Sequence, residues 1–284
     1  MSLPQSVELS MARPRSLCQQ GAIRMAASHS PLWPDDCHGA VSLTFDDGLP
    51  DHLRRAVPLL DDRGLRGTFY LCPKGDNFAD RLAPWRAVFE AGHEIGNHSL
   101  SHTCSRNFQP AHDPGPVGLE HTTLDEMGAD LAAAEGRLQE LFPCEGRSFA
   151  YPCYQSDVGE GPTRQSYVPL VAKLFVAGRT GGEYGFFNHP YNVDLHHLGG
   201  IAAERMPGTE LVGLVERCVR RGHWAVFAFH SIDGGRLGIN EFDFEELLDH
   251  LAENRHRICT APVAELAKHC RALRALRGDA EASP

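Results

Sequence analysis

The chain has 284 residues with 27 basic and 37 acidic side chains, a formal net charge of −10. That length can bury a large core and suits one sizeable α/β domain, while the acidic balance, with no basic run interleaved with aromatics, argues against nucleic acid as a partner. Apolar stretches are cut by Arg, Lys or Pro within about ten residues, too short to span a bilayer, so no membrane association is expected.

The segment Ser16 to Ala22 between the N-terminal arginines holds Gln19, Gln20 and Gly21 and is unlike a signal-peptide core. Nine scattered cysteines without a C-x-x-C pair read as reduced thiols in a cytoplasmic protein, and their spacing offers no thiolate zinc cluster. Residues 1–35 are polar and without period, a weakly ordered extension. A catalytic domain is expected over 36–276, with 277–284 as a tail.

The apolar run Val41 to Phe45 ends in Asp46, Asp47 and Gly48, as a buried strand that delivers two carboxylates to the sheet's carboxyl end. Successive side chains on a strand alternate faces, so the two acids have different jobs. The same residues also suit a turn whose Asp side chains cap a helix starting near Pro50. Asp51 to Arg63 follows as a helix with Leu53, Val57 and Leu60 at helical spacing, closed by Gly64. Gly67 to Cys72 is a second strand, Leu82 to Ala91 a helix, and His93 to Ile95 a short strand running into Asn97 to His102.

Residues 103–121, rich in Pro, Gly and His, form a loop long enough to border a site. Thr123 to Phe142 is a helix with Thr123 and Glu126 in capping-box relation. Strands recur at Arg147 to Pro152, Phe175 to Arg179, Ile201 to Met206, Trp224 to His230 and Arg257 to Ala261. Helices Thr209 to Arg221, Phe244 to Asn254 and Val263 to Leu276 alternate with them. Such alternation predicts an α/β fold, a distorted or incomplete (β/α) barrel of about seven parallel strands.

The strand ends carry Asp46 and Asp47, then His98 and His102, then Tyr151 and Pro152, then Arg179, and finally His230, where a barrel displays its chemistry. With four-residue spacing, one helical turn would put both imidazoles of His98 and His102 on one face. One carboxylate would complete a two-His, one-Asp metal site with open positions. Among 16 histidines an isolated pair at this spacing arises easily by accident, and the earlier Asp-Asp-Gly sets this one apart. The decoy His93-Glu94-Ile95-Gly96-Asn97 lacks its second histidine and is no metalloprotease helix.

Thr44-Phe45-Asp46-Asp47-Gly48, His98-Ser99-Leu100-Ser101-His102 and Phe227-Ala228-Phe229-His230 together resemble the polysaccharide deacetylase family, carbohydrate esterase family four, with its NodB-like catalytic domain. The resemblance extends over roughly residues 38 to 270. It implies Asp46 as general base, Asp47, His98 and His102 as ligands of a divalent metal, and His230 as general acid. Zinc suits such ligands, and cobalt, nickel or iron also fit. Backbone N–H groups near Pro152, Cys153 and Tyr154 would hold the oxyanion, and the Tyr151 and Tyr154 rings suit a sugar subsite. The implied reaction is hydrolytic removal of an N- or O-linked acetyl group from an acetylated saccharide by water that the metal activates.

The family's third motif usually opens with an arginine that orients the base, whereas Phe149-Ala150-Tyr151-Pro152-Cys153-Tyr154 has alanine in that place. Arg179 on the next strand is the candidate substitute, its alternative being a surface ion pair at a turn. A fourth-motif carboxylate for His230 is not evident, since Asp233, near in sequence, equally suits a loop turn. Two further readings fit the same barrel: hydrolysis of a cyclic or other non-sugar amide, and a catalytically silent carbohydrate-binding relative. Retention of Asp46, Asp47, His98, His102 and His230 together speaks against the last.

Overall fold

The computed structural model describes residues 32–108 and 118–278. The expected N-terminal extension up to residue 31, the middle of the 103–121 loop and the tail beyond residue 278 lie outside the described residues.

The first strand, β1 (Gly39–Phe45), is buried along its whole length. A strand covered on both faces needs a nearly continuous apolar run, and its two hydroxyls are tolerated because each finds a carbonyl. Ser42 Oγ donates to Ala261 O at 2.7 Å and Thr44 Oγ1 to Phe227 O at 2.8 Å. A π-turn (His52–Ala56) leads into α1 (Val57–Asp62), so the single helix expected over 51–63 is two pieces. β2 (Thr68–Leu71), α2 (Phe78–Leu82), α3 (Trp85–Glu90) and β3 (Glu94–Asn97) follow. Next come α4 (Leu124–Leu141), β4 (Ser148–Ala150), an antiparallel pair β5 (Asp157–Val158) and β6 (Gln165–Ser166), α5 (Val168–Leu174) and β7 (Ala177–Arg179). The chain ends through β8 (Ile201–Ala202), α6 (Gly208–Arg221), β9 (Trp224–Phe229), α7 (Glu241–Glu253), β10 (Ile258–Thr260) and α8 (Val263–Arg277). The capping box at the start of α4 forms as its sequence predicts, with Thr123 Oγ1 accepting from Glu126 N and Glu126 from Thr123 N.

The main sheet runs β7-β4-β3-β2-β1-β9-β8, all parallel, with β10 pairing the lower half of β1. Its two edges are drawn together beyond the strands by a bridge between Arg179 and Leu198, where Thr180 N donates to Leu198 O at 2.8 Å. The result is the expected incomplete barrel. Phe45 stacks between Phe69 and Phe229, with ring centroids at 4.7 and 5.4 Å, and fixes β1, β2 and β9 to one another. Two expectations are corrected. The strand foreseen over Ile201 to Met206 stops at Ala202, because Arg205 turns into the left-handed region at φ 55° and its N–H donates to Gly238. The β5–β6 pair was not foreseen, being only two residues a side. Among the described residues, no helix is long and apolar enough to cross a membrane.

Candidate active site

Asp46 continues the ladder of β1 for one more step, its N–H donating to Phe229 O at 3.0 Å, and so points inward, 1% exposed. Asp47 leaves the strand at φ 73° and its side chain remains 35% exposed. The next residue must also be left-handed and tightly packed, since a Cβ on Gly48 (φ 59°) would lie 2.7 Å from Leu71 Cδ2. The Asp-Asp-Gly sequence thus splits two neighbouring carboxylates into different environments.

His98 follows β3, and its Nδ1–H donates to Ala150 O at 2.9 Å, a bond that assigns the tautomer and leaves Nε2 facing Asp47 Oδ1 at 3.6 Å. His98 and His102 do not share a helical turn. Ser99 (φ 61°) and His102 (φ 55°) are both left-handed, so the segment loops, with His102 N donating to Ser99 Oγ at 2.9 Å. The Asp130 carboxylate of α4 accepts from Leu100 N at 2.6 Å and Ser101 N at 3.0 Å. The rings still meet, 4.8 Å between centroids, and His102 Nε2 lies 3.2 Å from Asp47 Oδ1. One donor atom each from Asp47, His98 and His102 falls within a 4.8 Å cluster. Two imidazole nitrogens and a carboxylate oxygen, one imidazole oriented by a backbone carbonyl, fit a divalent transition ion.

The charges in the cluster are strongly biased. Burial pushes His98 down to about 4, so its ring is neutral and available as a donor of electrons. Burial would raise the Asp47 carboxyl, but the hydrogen bond from His102 and the fields of both rings hold it well below the usual carboxylate range.

Asp46 stands outside that cluster. Its Oδ1 pairs with Nη2 of Arg179, both side chains being buried, while His230 Nε2 lies 3.9 Å from its Oδ2. Ala150 is in register with Arg179 across β4 and β7, so the two side chains share a face. The small alanine leaves room for the neighbouring strand's guanidinium. Arg179 is layered between the rings of Tyr70 and Tyr154, at 5.1 and 5.6 Å. Burial would raise the Asp46 carboxyl, and Arg179, assisted by His98 and His230, more than reverses this and keeps it below the usual range.

His230 follows β9, and its carbonyl is engaged by His52 Nε2. The carboxylate facing its Nδ1 is Glu204, at 3.6 Å, and not Asp233. Asp233 instead accepts from Glu241 N at 2.9 Å and pairs with Arg55, tying down the start of α7. Sequence reading missed Glu204 because it falls inside the strand foreseen to Met206. Ending that strand at Ala202 would have exposed a strand-end acid.

The stretch after β4 corrects two expectations. Tyr151 does not line the site: its ring is fully buried beside Phe149 and Tyr167, and its hydroxyl donates to His196 O. Pro152 to Tyr154 forms a short 3₁₀ turn in which Tyr151 N donates to Arg179 O and Tyr154 N to Tyr151 O. The Tyr154 ring lies against Gly181, 6.4 Å from the His230 ring. Cys153 is joined to Cys104 by a disulfide, so the cysteines are not all reduced.

An incomplete parallel barrel thus carries at its strand ends an Asp-His-His cluster that could hold a metal ion and, beside it, a separate arginine-held carboxylate. Residues 35–158 match the family model described as polysaccharide deacetylase, a span that holds Asp46, Asp47, His98 and His102 but not Arg179, Glu204 or His230. The match takes in the first two of the motifs on which the resemblance rests, and less than half of the chain. A chitin deacetylase from Arthroderma benhamiae is 27% identical over 95 residues, 33% of this chain. The match spans only 24% of that relative's length. Among solved structures, a Mycobacterium smegmatis protein assigned as a polysaccharide deacetylase superposes with a TM-score of 0.59 at 17% identity, covering 94% of this chain and 96% of that one. A family 4 acetyl xylan esterase from Clostridium thermocellum, in complex with a cobalt ion, gives 0.50 at 21% identity, covering 84% and 92%. These two likenesses establish the fold.

Proposed function

We propose that this protein is a metal-dependent hydrolase that removes acetyl groups from an acetylated carbohydrate. The observation that carries the reading is a buried, ionised carboxylate, Asp46, held by Arg179 just outside the Asp47, His98 and His102 cluster, with His230 3.9 Å from its other oxygen. The names of the fungal and clostridial relatives, a chitin deacetylase and an acetyl xylan esterase, support the substrate class.

Asp47, His98 and His102 would hold the ion, zinc being the simplest choice and cobalt, nickel or iron suiting the same donors. A divalent ion there supplies Lewis-acid polarisation of the acetyl carbonyl and acidifies a water. Asp46, unable to leave its arginine, accepts the proton of the attacking water. His230 gives a proton from Nε2 to the departing amine or alkoxide, and Glu204, 3.6 Å from Nδ1, positions the ring. Of the amides near the oxyanion, Pro152 has none and that of Tyr154 is already engaged, so Cys153 N–H is the donor assigned to it. Acetate and a free amine or hydroxyl are the products.

The test is acetate release from acetylated chito- and xylo-oligosaccharides by the metal-supplemented chain. Chelation should abolish it, and Asp46→Asn should cost about 10²–10⁴-fold in turnover, the usual worth of a positioned base. No acetate with any of the four metals, or an Asp46→Asn variant as active as the parent, would sink the reading.

A further inference from the structure

The Cys104–Cys153 disulfide joins the segment that carries His102 to the turn after β4, and both sulfurs and one nitrogen of the His102 imidazole lie within 4.8 Å of one another. The ring is therefore shared. Its Nε2 faces Asp47 at 3.2 Å, while its Nδ1 faces Cys104 Sγ at 3.8 Å. Two sulfurs and an imidazole are a donor set that divalent transition ions bind tightly once the sulfurs are thiolates. The two segments are also tied independently of the sulfurs. Ser105 N donates to the Gln155 side chain at 2.8 Å, and Leu119, which donates to Cys104 O, accepts in turn from Gly159 N. Opening the S–S bond leaves those ties in place and the two thiols within reach of each other and of His102.

We propose that reduction of Cys104–Cys153 creates a second divalent-cation site, Cys104, Cys153 and His102, which competes with Asp47 and His98 for the shared imidazole and so draws the ion out of the catalytic cluster. This rests on the reading of Asp47, His98 and His102 as metal ligands. The chemistry balances with a dithiol as reductant: two electrons and two protons pass to the sulfurs, the S–S bond breaks, and the dithiol closes to its own cyclic disulfide. On binding the cation, both thiols release their protons to solvent. The two sites exclude each other because one neutral imidazole has a single unprotonated nitrogen, and serving two ions at once would require removing its remaining proton. Half-buried Cys153 gives the reductant its point of attack.

Cobalt(II) distinguishes the sites by colour in the full-length chain. The oxidised protein is expected to bind a single cobalt with visible ligand-field bands only. After dithiol treatment and removal of the dithiol, an intense near-ultraviolet thiolate-to-cobalt band should appear, still with a single cobalt per chain, and reoxidation should erase it. The double variant Cys104→Ser/Cys153→Ser, checked for native circular dichroism, should keep the visible bands and never show the sulfur band. A reduced chain without that band, a band that survives in the double variant, or a second cobalt per chain overturns the proposal. An oxidised chain that takes up no cobalt sinks the metal-centre reading, and the competition falls with it. A sulfur band that fails beside intact visible bands removes the second site alone.

Discussion

Asp46 keeps its charge where burial favours the neutral acid, and the cause is one guanidinium. Removing that partner leaves an uncompensated buried carboxylate, which in comparable buried pairs costs about 3–5 kcal/mol. Arg179→Met should therefore raise the Asp46 carboxyl sharply. A base must be ionised to act, so the acidic limb of the pH–rate profile should move to higher pH and turnover at neutral pH should fall. Arg179→Lys, which restores the charge without the fork, should recover part of the shift. An unchanged acidic limb in Arg179→Met, with the melting temperature also unmoved, would show that the guanidinium does not hold Asp46. Strand alternation made the different surroundings of Asp46 and Asp47 readable in advance, because they depend only on neighbours in the chain. The link to Arg179 was guessable as a strand-end charge, but the register that seats it opposite Ala150 is a property of paired strands.

After β3, residues 98–102 place their histidines without helix or strand. His98 and His102 converge through two left-handed residues and the Asp130 carboxylate, which accepts both Leu100 N and Ser101 N. Asp130 touches neither imidazole, so Asp130→Ala should leave the sheet intact while loosening His102. Outer groups that orient metal ligands are typically worth about 10–100-fold in affinity, and a loss of that size is expected in zinc titrations of this variant. Unaltered affinity would place the loop's rigidity elsewhere. This element also marks what spacing can reveal. A four-residue interval correctly brought two histidines together, yet a helix and a loop satisfy it equally. Cys104 and Cys153, 49 residues apart, left no local trace of their pairing, and Tyr151 was misplaced because an aromatic with a polar tip reads the same in a core and in a cleft.

For the whole molecule, gathering neutral histidine and ionised aspartates under one barrel mouth makes stability depend on pH. An unfolded histidine titrates near 6.5, whereas folded His98 is pushed down to about 4, so between these values the unfolded chain binds the extra proton. The group's contribution is complete above about 6.5 and is lost as pH falls toward about 4. Below that, Asp46 and Asp47, both depressed in the folded state, extend the loss in the same direction. The metal-free chain should thus melt lower at pH 5 than at pH 7. His98→Gln, whose side chain does not titrate, should flatten that difference. Zinc at about 100 times its dissociation constant adds about 2.7 kcal/mol to a folded state that alone binds it. Calorimetric melts of parent and His98→Gln at both pH values, with and without zinc, read these terms separately. Equal melting temperatures for the metal-free parent at pH 5 and pH 7 would mean that His98 is not held neutral by its burial, and the account of the cluster as a preformed pair of imidazole donors would fail with it.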